Sequence, residues 1–543
     1  MRGRSFVAVL VVSAWALVCA TLSALPALAQ DAITTEQPAV PPAPSASPAT
    51  PTLAADQQPQ PAADSTVASI RLKLAEFGLR KGVAADDLAA LEAFYGQLAG
   101  PPIFVTVMGF TAKAQGAIFE IEKADDWGLS AAAFDLPPSG GLPATTEAQA
   151  SAEIKLALAI LKYARHARGG RIEPAEVSDL LDQAPPLRDP KTVLTEIAAA
   201  AAPDAYLRSL HPKHEQFERL RQALLKARGK GEGVTKQAGS ERDIQRLLIN
   251  MERWRWMPED LGTLYVWNNV PEYILRVVKN GAAIHSDKID VGKLAYATPI
   301  FSANMHTIVF NPEWTVPETI VRENLLPNLR GGGWTGGGST SILREHGLQV
   351  KFNGRIVDPG SVNWNSVNMA SISFTQAPGP DNVLGKLKFL FPNKHVVYMH
   401  DTIKRELFKQ AMRAEGHNCI RVADPGRLAS VLLAEDKGWL SSKIDDLLDH
   451  GNNSAVTLDH PIPVHMTYFT AMVDDDGKVK SFADIYGLDS RIGHALLGKD
   501  VDLPPAPEAD EDQAAEPAPS AATSSKRNAR NDLAGSMQGL FGE

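Results

Sequence analysis

The sequence contains very little cysteine, with only Cys19 and Cys419 among 543 residues. This scarcity excludes a disulfide-stapled fold and a structural zinc site built on several thiolates. Basic residues are also in the minority, because 54 Lys and Arg stand against 63 Asp and Glu, for a net charge of −9. Proteins that bind nucleic acid need a basic surface, so we expect no nucleic acid partner.

A long apolar run occurs at the start of the sequence. The chain begins with the basic Met-Arg-Gly-Arg, is almost without polar residues over 6–25, and then reads Ala27-Leu28-Ala29. This pattern predicts a secretory signal peptide over 1–29, cleaved near Ala29, with an uncleaved membrane anchor as the alternative. Cleavage removes Cys19 and leaves Cys419 as one thiol in an oxidising environment. Such a cysteine either packs as a small buried apolar residue or has a chemical function. The residues around it in the sequence distinguish these two roles.

Composition divides the rest of the chain. Two segments, at 30–64 and 501–543, are rich in Pro, Ala and acidic or polar residues and lack an apolar periodicity. Both are predicted to be disordered. Between them, a helical periodicity gives way after about residue 258 to short runs of β-formers, at 263–267, 273–278, 307–310 and 395–399. We therefore predict an α+β protein. Its parts are a signal peptide (1–29), a linker (30–64), a helical scaffold domain ending in a Gly/Lys hinge (65–240), a β-rich domain (241–500) and a tail (501–543).

A glycine-rich segment at 331–338 surrounds Trp334. It is not a phosphate-binding loop, because no Gly-Lys-Ser/Thr follows and no GxGxxG opens a helix. The remaining interpretations are a flap over a groove, which would make Trp334 a substrate-binding residue, and a plain solvent loop.

The pattern with the most chemistry runs from His400 to Cys419. A β-run ends at His400, and Cys419 follows on a turn that contains Gly416 and Asn418. An imidazole within hydrogen-bond reach can act as the base that activates a thiol. Asp401 or a backbone carbonyl could fix the imidazole tautomer, and exposed N–H groups of the cysteine turn could form an oxyanion hole.

This string resembles the signature of L,D-transpeptidases with a YkuD-type catalytic domain, in particular the large periplasmic YcbB-like branch. The family has a His-Asp/Gly-Thr element and then Ser-x-Gly-Cys-Ile/Val-Arg-Val, and this chain has His400-Asp-Thr and Gly416-His-Asn-Cys-Ile-Arg-Val. Further likeness occurs at 251–258, 311–317, 376–380, 382, 384–385, 388–389, 391–393 and 461–468. The resemblance implies a helical scaffold followed by a mixed-sheet catalytic domain.

The resemblance also implies an activity in the periplasm. Cys419 would attack diaminopimelate in a donor tetrapeptide stem of peptidoglycan, release D-alanine, and pass the acyl group to an acceptor stem as a 3→3 cross-link. His400 would be the general acid and base, and no metal or cofactor would be needed. Carbapenems would be covalent inhibitors. Candidate supporting residues are Asp401 for orienting His400, Asn418 for the oxyanion, and Arg421, Tyr398, Gly385 and Trp334 for the substrate.

The sequence departs from the family signature next to the nucleophile. Asn418 replaces the usual Gly and Gly416 the usual Ser. If the turn needs a positive φ, Asn is the best replacement for Gly. Other functions stay open: an L,D-carboxypeptidase, a ligase that joins an outer-membrane protein to peptidoglycan, and a degenerate, non-catalytic wall-binding protein. For Arg421, a salt bridge within its own loop competes with substrate binding, and for Trp314 core packing competes with sugar stacking.

Overall fold

The computed structural model describes residues 63–77, 83–138, 144–230, 239–331 and 339–498. The predicted signal peptide, nearly all of the predicted linker and the predicted tail lie outside these residues.

The N-terminal part of the described chain is helical. Proline at the first turn of α5, α6 and α7, and Thr or Asp side chains that accept from backbone N–H groups, start several of these helices. The helices are α1 (Ala63–Phe77), α2 (Ala85–Gln97), α3 (Ala112–Glu122), α4 (Thr146–Gly169), α5 (Pro174–Val177), α6 (Pro190–Ala199), α7 (Pro203–Ser209), α8 (Glu215–Ala227) and α9 (Glu241–Trp256), with a small hairpin of β1 (Val105–Thr106) and β2 (Gly109–Phe110).

A buried carboxylate organises this helical region. Glu153 lies on α4 and has no exposed surface. It accepts hydrogen bonds at 2.7 to 2.9 Å from the Tyr95 hydroxyl and from the backbone N–H groups of Ile103, Phe104 and Val105. One side chain on a central helix therefore satisfies three consecutive donors of the segment that leads into the hairpin.

Strands dominate the second part of the chain. They are β3 (Leu264–Asn269), β4 (Ile274–Lys279), β5 (Ala282–Asp290), β6 (Ser302–Phe310), β7 (Trp314–Thr315), β8 (Leu348–Phe352), β9 (Arg355–Val357), β10 (Ile372–Gln376), β11 (Leu387–Leu390), β12 (Met399–His400), β13 (Ile420–Val422), β14 (Ser454–Thr467), β15 (Ala471–Val473) and β16 (Val479–Ser481). Helices among them are α10 (Glu318–Ile320), α11 (Leu326–Arg330), α12 (Ser341–Glu345), α13 (Pro425–Lys437), α14 (Ser441–Asp449) and α15 (Leu488–Leu497).

Two larger sheets and the separate pair β15–β16 form this part of the described chain. Within the described residues, eight strands close on themselves in the order β11-β12-β13-β5-β4-β3-β14-β6, and β12–β13 and β3–β14 are the parallel pairs. The segment between β6 and β11 forms the smaller sheet β7-β10-β8-β9, with its own apolar core around Trp314, Leu343 and Phe374. The predicted α+β class with a mixed sheet is thus confirmed.

The helical region packs directly on the closed sheet. Leu181, in the loop after α5, shares the apolar core of the closed sheet with Ile300, and the Asp182 N–H donates to the Ile300 carbonyl at 2.9 Å. The Asp182 carboxylate also accepts from Lys394 at 2.6 Å and from His395 at 2.8 Å. A residue of the helical part therefore holds the segment that precedes β12.

Three of the four strand predictions match observed strands, and the fourth is too long. Residues 263–267, 273–278 and 307–310 fall largely within β3, β4 and β6, whereas only Met399 of the predicted run 395–399 is in a strand. Val396 has φ 57, a left-handed conformation that breaks a strand and is unusual for a β-branched residue. Only Met399, the last residue of the run, lies in a strand, and that strand, β12, ends at His400.

The environment of Glu153 predicts that Glu153→Gln destabilises the fold. The amide would turn an N–H donor toward backbone N–H donors, and we expect a loss of about 3 kcal/mol in the free energy of unfolding. Urea denaturation followed by circular dichroism measures this loss. Glu92→Gln, an exposed change of the same kind on α2, is the control. Equal unfolding midpoints for the two variants would contradict the role given to Glu153.

Candidate active site

Two short adjacent strands carry the residues that the sequence singles out. β12 and β13 run parallel with Met399 opposite Ile420, and the Ile420 N–H donates to the Tyr398 carbonyl at 3.2 Å. Side chains alternate along a strand, so Met399 and Ile420, both fully buried, point into the closed sheet. The opposite face carries the polar side chains Tyr398, His400, Cys419 and Arg421.

A cavity of about 490 Å³ opens over that face. One wall comes from the segment that carries the smaller sheet, mainly β7 and the following α10, and the other comes from the closed sheet. The cavity is lined by Trp314, Val316, Ile320, Leu384, Lys388, His395, Tyr398, His400, His417, Asn418, Cys419 and Arg421, among others. An apolar cleft with convergent polar groups is typical of a ligand-binding site.

The turn before Cys419 has a backbone that suits few residues. Asn418 has φ 55, in the left-handed region that Gly and Asn adopt most readily. A side chain on Gly416 would place its Cβ 2.8 Å from the Val291 carbonyl oxygen, so no larger residue fits there without movement. Both replacements in the family signature are therefore compatible with the turn.

Backbone hydrogen bonds fix this turn against the segment after β5. The Asn418 N–H donates to the Tyr296 carbonyl at 3.0 Å, and the Asn418 carbonyl accepts from the Thr298 hydroxyl at 2.9 Å. Gly292 lies so close that a Cβ there would meet the Tyr296 carbonyl oxygen at 2.1 Å and the Asn418 nitrogen at 3.0 Å. The Asn418 N–H is thus engaged in the fold and does not point to an oxyanion in this conformation.

His400 is held by a backbone carbonyl. Its Nδ1 donates to the Asp401 carbonyl oxygen at 2.5 Å, which leaves the lone pair on Nε2. The ring is buried, and burial together with the nearby Arg421 cation lowers the pKa of His400 to about 3. His400 is therefore neutral at physiological pH and can act as a base.

The Asp401 carboxylate has a different task from the one expected. It accepts from the backbone N–H groups of Lys386 at 2.8 Å and Thr402 at 2.6 Å, and it pairs with the Arg405 guanidinium. A Cβ on Gly385 would lie 2.3 Å from this carboxylate. Asp401 thus clamps the loop before β11 with its carboxylate and orients His400 through its carbonyl.

The environment of the Cys419 thiol favours its protonated form. Burial raises the pKa of Cys419 to about 11, while contacts with Tyr398 and the cations Lys388 and Arg421 lower it in part. The Tyr398 side chain interacts with the Cys419 thiol and also with the Trp314 side chain. Cys419 and His400 are therefore a neutral thiol and a neutral imidazole before substrate arrives.

The strand register places charged residues in one row across the site. Lys388 on β11 is the Cα partner of His400, His400 that of Arg421, and Arg421 that of Asp290 on β5. Arg421 forms a buried ion pair with Asp290 at 3.0 Å. The predicted salt bridge of Arg421 thus exists, but its partner lies on β5, a strand far away in the sequence, and not within the loop of Arg421. The guanidinium also lines the cavity.

Matches to two family models cover most of the described chain. Residues 89–224 match the Scaffold domain model, and residues 263–440 match the YkuD model, described as the L,D-transpeptidase catalytic domain. This part of the chain is thus similar to the YkuD family of L,D-transpeptidase catalytic domains. The resemblance seen in the sequence is confirmed at this level, and the YcbB-like branch stays a prediction.

Individual relatives share only part of the chain. A protein of Haemophilus influenzae described as "Putative L,D-transpeptidase" is 31% identical over 259 residues, which are 47% of this chain and 50% of that protein. The chain thus matches about half the length of this relative. A solved structure of the LD transpeptidase LdtMt1 in complex with imipenem overlaps 37% of this chain and 58% of its own, with 14% identity and a TM-score of 0.18. So low a score says nothing further about this chain.

The YkuD domain brings most of the predicted site residues together. Cys419, His400, Asn418, Arg421 and Tyr398 all line the cavity. Gly385 does not line it, because its close approach is to the Asp401 carboxylate. Trp334 lies outside the described residues.

Several residues of the YkuD site had no role in the sequence prediction. Lys388 was part of the family likeness only, and Tyr296 stacks on His417 with ring centroids 3.7 Å apart. Trp314 is 2% exposed, so it packs in the core as expected, yet it also lines the cavity. The alternation along β11 could have indicated Lys388, but only the register across β11 and β12 places it beside His400.

The described residues contain neither a metal-binding cluster nor a membrane-spanning helix. Within them, no three His, Cys, Asp or Glu side chains are grouped closely enough to hold a metal ion. Likewise, none of the helices in this part of the chain has the length and apolar character needed to cross a membrane.

The left-handed φ of Asn418 predicts that Gly is tolerated there and that β-branched residues are not. We expect Asn418→Gly to keep the rate at which iodoacetamide alkylates Cys419 within about twofold, since Gly adopts positive φ freely. Asn418→Val should lower the free energy of unfolding by about 1–2 kcal/mol and move the alkylation rate outside that twofold range. Asn353→Val, at a remote exposed turn with φ 47, is the matched control and should lose stability only. Equal behaviour of the Gly and Val variants at 418 would disprove the requirement.

The raised pKa of Cys419 predicts an unusual pH profile for alkylation. Because the thiolate is the nucleophile and the pKa is about 11, the rate should still rise by about tenfold per pH unit between pH 8 and 10. Mass spectrometry of the Cys419 peptide measures the rate, and the urea-unfolded protein, with an ordinary thiol pKa of about 8.5, is the control. A plateau below pH 8 would instead indicate a preformed thiolate–imidazolium pair.

Proposed function

We propose that this protein is an exported, cysteine-dependent L,D-transpeptidase that forms 3→3 cross-links between diaminopimelate residues of peptidoglycan. The observation that carries the proposal is the common face of β12 and β13, from which Cys419 and His400 both line one cavity in the region that matches the YkuD domain. The apolar start of the sequence supports export to the periplasm.

The first half-reaction makes a thioester. Cys419 Sγ attacks the carbonyl carbon at the L-centre of diaminopimelate in a donor tetrapeptide, while His400 Nε2 takes the thiol proton. The bond between that carbon and the D-alanine nitrogen breaks, and His400 returns the proton to the leaving amine. With a thiol pKa of about 11 and an imidazole pKa of about 3, proton transfer accompanies the attack and does not precede it.

The second half-reaction transfers the acyl group. The side-chain amine of an acceptor diaminopimelate attacks the thioester carbon, His400 accepts the amine proton, and the carbon–sulfur bond breaks. The thiolate then recovers a proton from His400. Because the Asn418 N–H is engaged with Tyr296, we assign stabilisation of the oxyanion to the Tyr398 hydroxyl, which contacts the sulfur.

The alternatives differ in the acceptor or in activity. Water as acceptor makes an L,D-carboxypeptidase, and the N-terminus of an outer-membrane protein makes a ligase, both through the same thioester. The non-catalytic alternative, a degenerate wall-binding protein, depends on Asn418, which replaces the usual glycine of the family signature. Its φ of 55 argues against that reading, since the residue adopts the conformation that the signature glycine permits.

The test is the product profile on purified peptidoglycan. Wild-type protein should release D-alanine and form 3→3 dimers, detected by mass spectrometry of digested muropeptides, and Cys419→Ala should form none. His400→Gln should lower the rate by roughly 10²- to 10⁴-fold, since it removes the base. Shortened stems without dimers would indicate the carboxypeptidase, and protein-bound muropeptides the ligase.

A carbapenem provides a check that does not depend on the acceptor. The wild-type protein should gain the mass of the drug at Cys419, as expected for a thiol that attacks an acyl centre, and Cys419→Ala should gain none. Folded wild-type protein without an adduct, and without any change in the muropeptides, would support the non-catalytic alternative.

A further inference from the structure

Lys388 is the cation of the site whose role is unexplained. It lies on β11, lines the cavity, and its ammonium is 3.9 Å from the centroid of the Tyr398 ring. Arg421, at the other end of the row, is neutralised by Asp290 at 3.0 Å. Among the residues that the structure describes, no carboxylate is paired with Lys388.

The surroundings make this unpaired charge costly. Lys388 is partly buried, and burial lowers its pKa, while the interaction with Cys419 raises it in part. Lysine is rarely buried unless it is paired, because the protein must replace the hydration of the ammonium. A cation kept beside a nucleophile and open to a cavity is therefore complementary to an anionic group of a ligand.

The strand register fixes where that anion would bind. Lys388 is the Cα partner of His400, and both lie on the face that also carries Cys419. A carboxylate bound by Lys388 would thus be next to the bond that Cys419 breaks. In a tetrapeptide donor, one carbon separates the scissile nitrogen from the terminal carboxylate of D-alanine. A donor with one more residue has an amide at that place.

We propose that Lys388 binds the free terminal carboxylate of the donor stem and so selects donors whose last residue is the one released. This inference rests on the proposed function, because the carboxylate belongs to the donor. Lys388 would hold the leaving residue and would orient the scissile carbonyl toward Cys419.

The test compares two donors on three proteins. The donors are a tetrapeptide stem with a free terminal carboxylate and the same stem as its terminal amide. For wild type, kcat/KM should be roughly 10- to 100-fold higher with the free acid, as expected for a charged hydrogen bond. Lys388→Met should lower kcat/KM with both donors, because Lys388 helps to lower the pKa of Cys419, but the free-acid value should fall much further, so that the ratio of the two values approaches one. Lys388→Arg should restore that ratio in part.

Lys443→Met is the matched control. The Lys443 ammonium is 3.5 Å from the Trp439 ring centroid on an exposed surface away from the cavity, so its loss removes a similar contact without touching the site. The donor preference should stay as in wild type. Equal losses with both donors in Lys388→Met would overturn the proposal, because they would show a structural role only.

A second readout separates this proposal from the proposed function. Iodoacetate carries a carboxylate and iodoacetamide does not, and both alkylate Cys419 without any peptide donor. The ratio of the iodoacetate rate to the iodoacetamide rate should fall several-fold in Lys388→Met and stay constant in Lys443→Met. If wild type is inactive on every stem and the ratio still falls, the transpeptidase assignment fails and the carboxylate site stands. If the ratio does not change, the carboxylate site fails.

Discussion

The parallel pairing of β12 with β13 is the interaction on which the active site depends. These strands are only two and three residues long, yet their register decides which side chains share a face. Met399 and Ile420 secure the pairing by burying fully in the closed sheet, and the apolar interior thereby fixes the orientation of their neighbours. The catalytic chemistry is on the outer side of a contact whose inner side is ordinary hydrophobic packing.

The electrostatics of the site follow from the same register. It places the imidazole between a lysine and an arginine on the neighbouring strands, so that a charged imidazole would face two cations. The protein therefore stores neither a thiolate nor an imidazolium in the resting state. Negative charge develops on the sulfur only as the substrate reacts, and the cations beside the sulfur then stabilise that charge. A protonated buried thiol is also less readily oxidised than a thiolate.

The sequence predicted the centre of the site better than its surroundings. His400 and Cys419 could be found because the family signature that surrounds them is contiguous in the sequence, with a strand end at His400 and a turn of Gly and Asn before Cys419. The possible need for a left-handed residue before Cys419 could be inferred from the replacement of the signature Gly by Asn418. The roles of Gly385, Arg421 and Lys388 depend on contacts between strands far apart in the chain, such as Arg421 with Asp290. These contacts depend on the strand register, which cannot be predicted from a single sequence. The helix-to-strand change near residue 258 was local and could be predicted.

The last long strand, β14, has a consequence for how the YkuD match should be understood. The match ends at residue 440, whereas β14 covers Ser454–Thr467 and pairs with β3 on one side and β6 on the other. A fragment cut at the limits of the match would leave both partner strands with unpaired N–H and C=O groups and an open core. Open edges of this kind promote association between molecules. The recognisable family segment is therefore smaller than the unit that can fold, and the chain beyond it is structurally part of the catalytic domain.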